Sequence, residues 1–276
     1  MGLPRSLWCL VIAFWLAPPA LAKVIVRVEI AQTGSPLVIG TSTPAQILDS
    51  EDNPLGQLPA MQPIQADPTA QGIALSHDNL TAPVIRIRPE GDGLVAVEGR
   101  WYPGEIILAG YGTVLAVNYV DLENYVAGVV EFEMGSSFHG EALKAQAVAA
   151  RSYVLYHRNS RPWFDVHSDT RSQVYRGYER LSPAVWEATQ ATRGMVMVYD
   201  NQFINAMYSS SSGGHTVGVE GVPYLQGFPD VTQRPRFGHG IGMSQWGAQD
   251  LAAQGWNFNH ILGYYYRGVG LARLPQ

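Results

Sequence analysis

The segment Val129-Val130-Glu131-Phe132-Glu133-Met134, with the alanine-rich stretch from Glu141 to Asn159 behind it, constrains this chain more than any other. In the second stretch Leu143, Ala147, Ala150 and Val154 fall on one helical face, beside Lys144 and Arg151. Ala142, Ala145, Ala147, Ala149 and Ala150 are small enough for another element to pack tightly against that helix. Upstream, Asp121 reads as an N-cap, with Leu122, Tyr125, Val126 and Val129 at i, i+3, i+4 and i+7. This first helix is expected to end near Val130, and Gly135-Ser136-Ser137 breaks the chain before the second. Glu131 and Glu133 thus stand at a helix-to-helix junction, where rigid elements can aim a carboxylate into a cleft. Two carboxylates in an apolar setting repel each other and lose hydration, and both effects raise a pKa and suit one of them to general acid work. The alternative is a pair of solvated acids at a helix end. The spacing leaves both open.

The N-terminus carries Arg5, an apolar run from Leu7 to Leu16, then Pro18-Pro19-Ala20-Leu21-Ala22. That order is expected of a secretory signal peptide, residues 1–22, cleaved after Ala22. The run is far short of the ~20 residues that a spanning helix needs. Cys9 is the only cysteine, so the mature chain would rely on burial rather than disulfides. The net charge of −5, from 18 basic and 23 acidic residues, argues against a general nucleic-acid binder.

Val24 to Ile30 alternates as a strand does. From Gln32 to Pro83 the chain is rich in Pro, Gly, Ser, Thr, Asn and Asp, and reads as loop-rich with two short strands, Leu37-Ile39 and Ile73-Leu75. Strands resume at Val84-Arg88, Leu94-Glu98, Glu105-Ala109 and Thr113-Asn118, spaced as in an antiparallel sheet. Ser182-Pro183 opens a helix to about Thr192, closed by Gly194. Met195-Tyr199 and Gln202-Ser209 flank Asp200-Asn201 as a hairpin. Met243 to Gln254 and Phe258 to Tyr265 are predicted helices. The expected class is α+β, with a β-rich and loop-rich region over 23–105 and a mixed helix and strand region over 106–270 around a groove.

Two further segments carry candidate chemistry. In Gly238-His239-Gly240-Ile241-Gly242, glycine at every second position lets the backbone approach a ligand or another chain closely, and His239 is sterically open. The alternative is a tight turn with a structural histidine. Ser209-Ser210-Ser211-Ser212-Gly213-Gly214-His215 lacks the Gly-x-Ser-x-Gly of a nucleophile turn and reads either as a donor of hydrogen bonds to sugar hydroxyls or as a flexible loop. A serine hydrolase using Ser211 or Ser212 is the weaker reading. No histidine has a partner at metal-ligand spacing.

Taken together the chain resembles the stage II sporulation protein D family, also called the amidase-enhancer family. The resemblance rests on Leu122–Val130, Glu133-Met134, Glu141–Tyr153, Ser172-Gln173-Val174-Tyr175-Arg176-Gly177, Ser210–Gly214 and Gly238–Ala248 in that order, over roughly Ile106 to Gly268. It implies action on peptidoglycan glycan strands, as a lytic transglycosylase cleaving between N-acetylmuramic acid and N-acetylglucosamine to a 1,6-anhydro end. It assigns the catalytic glutamate to Glu133, before the methionine. His239 and the loop Ser211, Ser212, Gly213 and Gly214 would line the groove. Gln245, Arg151, Gln173 and Tyr175, from the matched segments, complete the expected substrate-binding set. Some members hold zinc with cysteine and histidine just before the Gln-Val-Tyr segment. Here the stretch has no cysteine, and His167 and Ser172 stand at the expected cysteine positions, so no zinc is expected. The resemblance further implies an exported protein of the periplasm or cell wall, and a cell-wall amidase as partner. A non-catalytic glycan binder that stimulates such an amidase is the alternative.

Overall fold

The computed structural model describes residues 23–275. The expected leader, residues 1–22 with Cys9, lies outside the described residues. The fold is α+β. Its first half consists of β1 (Ile25–Thr33), β2 (Leu37–Thr41), β3 (Ala45–Leu48), β4 (Pro54–Leu58), β5 (Ile64–Thr69) and β6 (Gly72–Leu75). β7 (Thr81–Ala82), β8 (Val84–Pro89), β9 (Leu94–Val97), β10 (Arg100–Pro103), β11 (Glu105–Ala109) and β12 (Val114–Asp121) follow.

These strands correct the expectation for residues 32–83, which form six strands rather than two. The region is not loop-rich, because most of its short strands turn apolar side chains inward: Leu37 and Ile39, Ala45 and Ile47, Leu58, Ile64 and Ala66, Ile73 and Leu75. A later two-residue strand, β13 (Val166–His167), joins one of the two resulting sheets. That sheet has the order β13-β1-β12-β11-β8-β3-β4, and the other β10-β9-β2-β5-β6-β7. Inward residues of both, among them Ile39, Ile73, Ile85, Ile106 and Val95, share one core. β1 and β12 run antiparallel from Ile25 opposite Asp121 to Thr33 opposite Val114, with a bulge between Glu29 and Ala31.

β12 runs straight into α1 (Leu122–Glu133), and Asp121 caps it by accepting from the Glu123 backbone N–H at 3.0 Å. α1 extends one turn beyond the expected end near Val130. Nothing in Glu131-Phe132-Glu133 breaks a helix, and the chain first leaves it at Gly135, whose φ of +76° suits glycine. Glu133 is therefore the last helical residue.

α2 (Gly140–His157) is the central helix, capped by the His139 ring. Its alanines 142, 145, 147, 149 and 150 are all fully buried. Around it pack α1, α3 (Pro183–Ala191), α4 (Gln245–Ala253), α5 (Phe258–Tyr265) and β14 (Met195–Tyr199). β14 pairs with β15 (Gln202–Phe203) across Asp200 and Asn201, at φ +48° and +59°, the left-handed pair of a tight hairpin turn. The second arm is shorter than expected: after Phe203 the chain leaves the sheet, and β16 (Tyr208–Ser209) instead lies parallel to β17 (Met243–Ser244). β18 (Gly270–Arg273) closes the far edge of β14. No helix among the described residues is long and apolar enough to cross a membrane.

Candidate functional site

The two glutamates of the junction have different surroundings. Glu131 is 5% exposed, and its Oε2 accepts from the Ser182 backbone N–H at 2.9 Å and the Ser182 hydroxyl at 2.7 Å. Ser182 is the N-cap residue of α3 but makes no side-chain cap bond of its own. Glu131 thus ties the start of α3 to the end of α1, which explains its burial without any catalytic role.

Glu133 is half-buried and its pKa is raised, first by desolvation. Three hydrogen bonds pull the other way: from the Val174 N–H at 2.9 Å to Oε1, from Gln245 Nε2 at 3.1 Å to Oε2, and from Tyr208. It also stands at the C-terminal end of α1, where unpaired carbonyls disfavour a negative charge. Burial and helix end thus work to keep a proton on Glu133, while three donors hold its orientation.

Those donors come from three separate parts of the chain. Val174 follows β13, which is fixed by pairing Val28 with Val166 and Glu29 with His167. Gln245 is the first residue of α4, whose N-cap Ser244 accepts from the Gly247 N–H. Tyr208 is held by Gln173: Gln173 Nε2 donates to the Tyr208 hydroxyl at 2.8 Å, and Gln173 Oε1 accepts from the Tyr125 hydroxyl at 3.0 Å. The Tyr208 oxygen already accepts, so its own O–H is available to Glu133. Desolvation keeps the pKa of Tyr208 and Tyr125 well above the ordinary tyrosine value, so both remain donors at neutral pH.

The remaining expected residues divide. Gln245 reaches Glu133 directly, and Gln173 acts through Tyr208. Arg151 lies in the interior instead, 0% exposed, with Nε and Nη2 on the Glu123 carboxylate at 3.0 and 2.6 Å and Nη1 on the Met195 carbonyl at 3.0 Å. It joins α2 to α1 and presents nothing to a groove. Tyr175 is equally enclosed, packed at a tilt against Tyr125 and donating to Asn118 at 2.8 Å. Ser211 and Ser212 are buried as well. The Ser211 hydroxyl donates to the Arg234 carbonyl at 3.3 Å, and that of Ser212 donates to Asp230, which also accepts from Tyr265 at 2.7 Å. Sequence had placed these four at the substrate; their side chains are spent on the protein's own core. Gly213 and Gly214, at φ +72° and +84°, make the turn that follows.

The alternating glycines do bring backbones close, but to this chain's own strand. A Cβ at Gly242 would stand 1.9 Å from the Met207 carbonyl oxygen, and one at Gly238 would stand 2.8 Å from Ser209 Cβ. His239 is exposed as a residue, with Nδ1 accepting from the Ile241 N–H at 3.0 Å. Partial desolvation of the ring lowers its pKa, against a bond to the Tyr208 backbone. The ring is therefore neutral at neutral pH and fixed beside Tyr208. Tyr208, Val174 and Asp230 were not singled out as site residues from sequence; a tyrosine within an expected hairpin arm and a backbone N–H carry no signal there.

Of the two expected positions before Gln173, the His167 imidazole has Nδ1 2.7 Å from Glu29 Oε2, and the Ser172 Oγ accepts from the His167 N–H. Among the described residues no group of three or more His, Cys, Asp or Glu side chains could hold a metal ion. These donors do not fit the zinc site that the family resemblance raised.

Residues 110–199 match the family described as Stage II sporulation protein, the span that holds α1, α2, the Val174 strap and α3. Over that span the chain is thus similar to the stage II sporulation protein (SpoIID) domain. It is 29% identical over 270 residues to an uncharacterized protein of Brachyspira hyodysenteriae, covering 63% of this chain and 73% of that one. It is 26% identical over 261 residues to Stage II sporulation protein D of Bacillus subtilis, covering 57% and 76%. Over 172 residues it is 35% identical to the Amidase enhancer of Bacillus subtilis, covering 58% of this chain but 24% of that longer protein.

Proposed function

We propose that this protein is an exported peptidoglycan lytic transglycosylase, acting in the periplasm or cell wall, with Glu133 as general acid and then base. The observation that carries the reading is the state of Glu133: desolvation and a helix C-terminus favour its protonated form, while Val174, Gln245 and Tyr208 fix its direction. The protonated carboxyl gives its proton to the oxygen linking N-acetylmuramic acid to N-acetylglucosamine as the C1–O bond breaks through an oxocarbenium-like state. The carboxylate so formed takes the proton of the muramoyl C6 hydroxyl, whose oxygen attacks C1 and closes the 1,6-anhydro ring. One residue completes the cycle, so this route requires no second carboxylate. Gln245 and Tyr208 stabilise the carboxylate stage, when both are hydrogen-bond donors to a full charge.

The test is mass spectrometry of muropeptides from purified glycan strands, using the mature protein and its Glu133→Gln variant. Anhydro-ended products from the parent, falling by about 10²–10⁴-fold in the variant, are expected for loss of a general acid. Glycan binding by both with products from neither would overturn the enzyme. It would leave the second reading, a binder that stimulates a cell-wall amidase, for which the name of the Amidase enhancer relative speaks.

A further inference from the structure

The loop from Arg234 to His239 is pinned at nearly every residue. The Arg234 carbonyl accepts from Ser211, and its guanidinium lies 3.7 Å from the centroid of the Trp246 ring. Arg236 donates from Nε to the Ser212 carbonyl and from Nη2 to the His215 carbonyl, both at 2.8 Å. Phe237 exchanges two backbone bonds with Ser211, at 3.1 and 3.0 Å. Gly238, at φ +97°, packs directly on Ser209.

One group in this loop has nothing to hold. The Phe237 side chain is 75% exposed, the highest value among the exposed large hydrophobic residues described. A lone exposed apolar side chain is ordinary on a protein surface. This one differs in two respects. Its backbone is fixed on both sides, and it stands two residues before His239 on the limb that supplies Tyr208 and Gln245 to Glu133.

We propose that Phe237 is a stacking platform for a pyranose ring of the glycan strand and sets the register of that strand against Glu133. The proposal rests on the glycan-strand reading above. The axial C–H groups of a pyranose face present weak positive charge to the negative face of an aromatic ring. Covering the ring also removes apolar surface from water. Because the backbone is already held, little ordering cost is added on binding. The contact is uncharged, so it contributes equally at low and high salt, unlike any contact made by Arg234 or Arg236.

The experiment measures binding of purified glycan strands, and of a soluble N-acetylglucosamine oligomer, to the Glu133→Gln protein, which cannot turn strands over. Phe237→Ala, Phe237→Leu and Phe237→Trp are compared in that background, with a thermal melt on each. The expected result is about tenfold weaker binding for Ala and for Leu, the scale of one aromatic contact. Trp should retain affinity, and its fluorescence should change with the same midpoint as binding. An intact melt with Ala binding as tightly as the parent overturns the platform and leaves the glycan reading standing. Leu binding as tightly as Phe overturns stacking in favour of plain apolar contact. An effect of Phe237→Ala seen only after an amidase is added overturns the proposal in favour of a protein-docking role. Failure of every protein, parent included, to bind strands or oligomer overturns the glycan reading itself.

Discussion

The helix pair α1 and α2 and the limb from Met207 to Gly247 meet at Glu133, yet they are held together by different means. The pair is regular, packed through fully buried alanines and valines, and locked by the buried Arg151–Glu123 ion pair. The limb has two short strands, three isolated bridges and a series of left-handed glycines, and its hydrogen bonds run largely between side chains and backbone. Helix packing can hold a carboxylate in place but cannot surround it with donors from several directions. Irregular backbone can supply those donors, but only when glycine lets two segments approach below side-chain distance.

The largest effect that would test this contrast is on the helix side. Arg151→Ala leaves the Glu123 carboxylate buried beside one remaining donor, the Gly194 N–H at 3.1 Å. The loss should be about 3–5 kcal/mol in chemical denaturation, for one partner removed from a buried pair. Replacing both partners, Arg151→Met with Glu123→Leu, should recover most of it. The Gly194 N–H would still be left unpaired, at a cost of roughly 1–3 kcal/mol. A single Arg151→Ala variant as stable as the parent would mean that the ion pair is not what locks α1 to α2.

On the limb side the corresponding change is Gly242→Ala. At φ +69° the added Cβ would overlap the Met207 carbonyl. The backbone strain alone should be roughly 1–3 kcal/mol. The contrast predicts where the damage goes: protease sensitivity between residues 207 and 247 should rise, while the two large sheets keep their protection in hydrogen exchange. Loss of protection throughout would show that limb and helices form one cooperative unit.

A finer change separates positioning from stability. Tyr208→Phe removes a donor to Glu133 and keeps the ring. Because that bond lowers the Glu133 pKa, its loss should raise it further, so the alkaline limb of a pH–activity profile moves upward. The rate should fall about tenfold, for one charge-assisted bond lost at the carboxylate stage. An unmoved profile would remove Tyr208 from the site.

The same contrast explains what the sequence revealed. The helices were legible because their signals are local: Asp121 and Ser182 as caps, a 3.6-residue apolar period, and Gly194 beyond an end. The glutamates were legible as a pair, but their division of labour was not, because Glu131 is taken up by Ser182, fifty-one positions away. Strands β2 and β6 were legible from Leu37-Ile39 and Ile73-Leu75, but β3, β4, β5 and β7 were missed because each buries at most three apolar residues, too few to establish a period of two. Pro54 and Pro68 lie within strands, Pro54 opening the edge strand β4, where its missing N–H is tolerated. Arg151, Tyr175, Ser211 and Ser212 sit in matched segments, and motif membership does not say which side of a backbone a side chain faces. Phe237 stood immediately before the glycine-rich motif and drew no attention, since exposure is not written in sequence.

The smallest effect is a stability change that depends on pH. In the folded chain Glu133 has a pKa above the usual 4.5 of glutamate, chiefly from desolvation. The folded state therefore holds this proton to higher pH than the unfolded chain does. The sign follows: below about 4.5 both states are protonated and the group has no differential effect, while stability falls as pH rises through the raised folded value, where burying the carboxylate becomes a cost. Glu133→Gln cannot ionise, so its thermal midpoint should exceed that of the parent at neutral pH and approach it in acid. A Glu133→Gln advantage that persists unchanged below pH 4.5 would mean that it does not arise from ionisation of this carboxyl, and the junction would then be a structural joint rather than a poised acid.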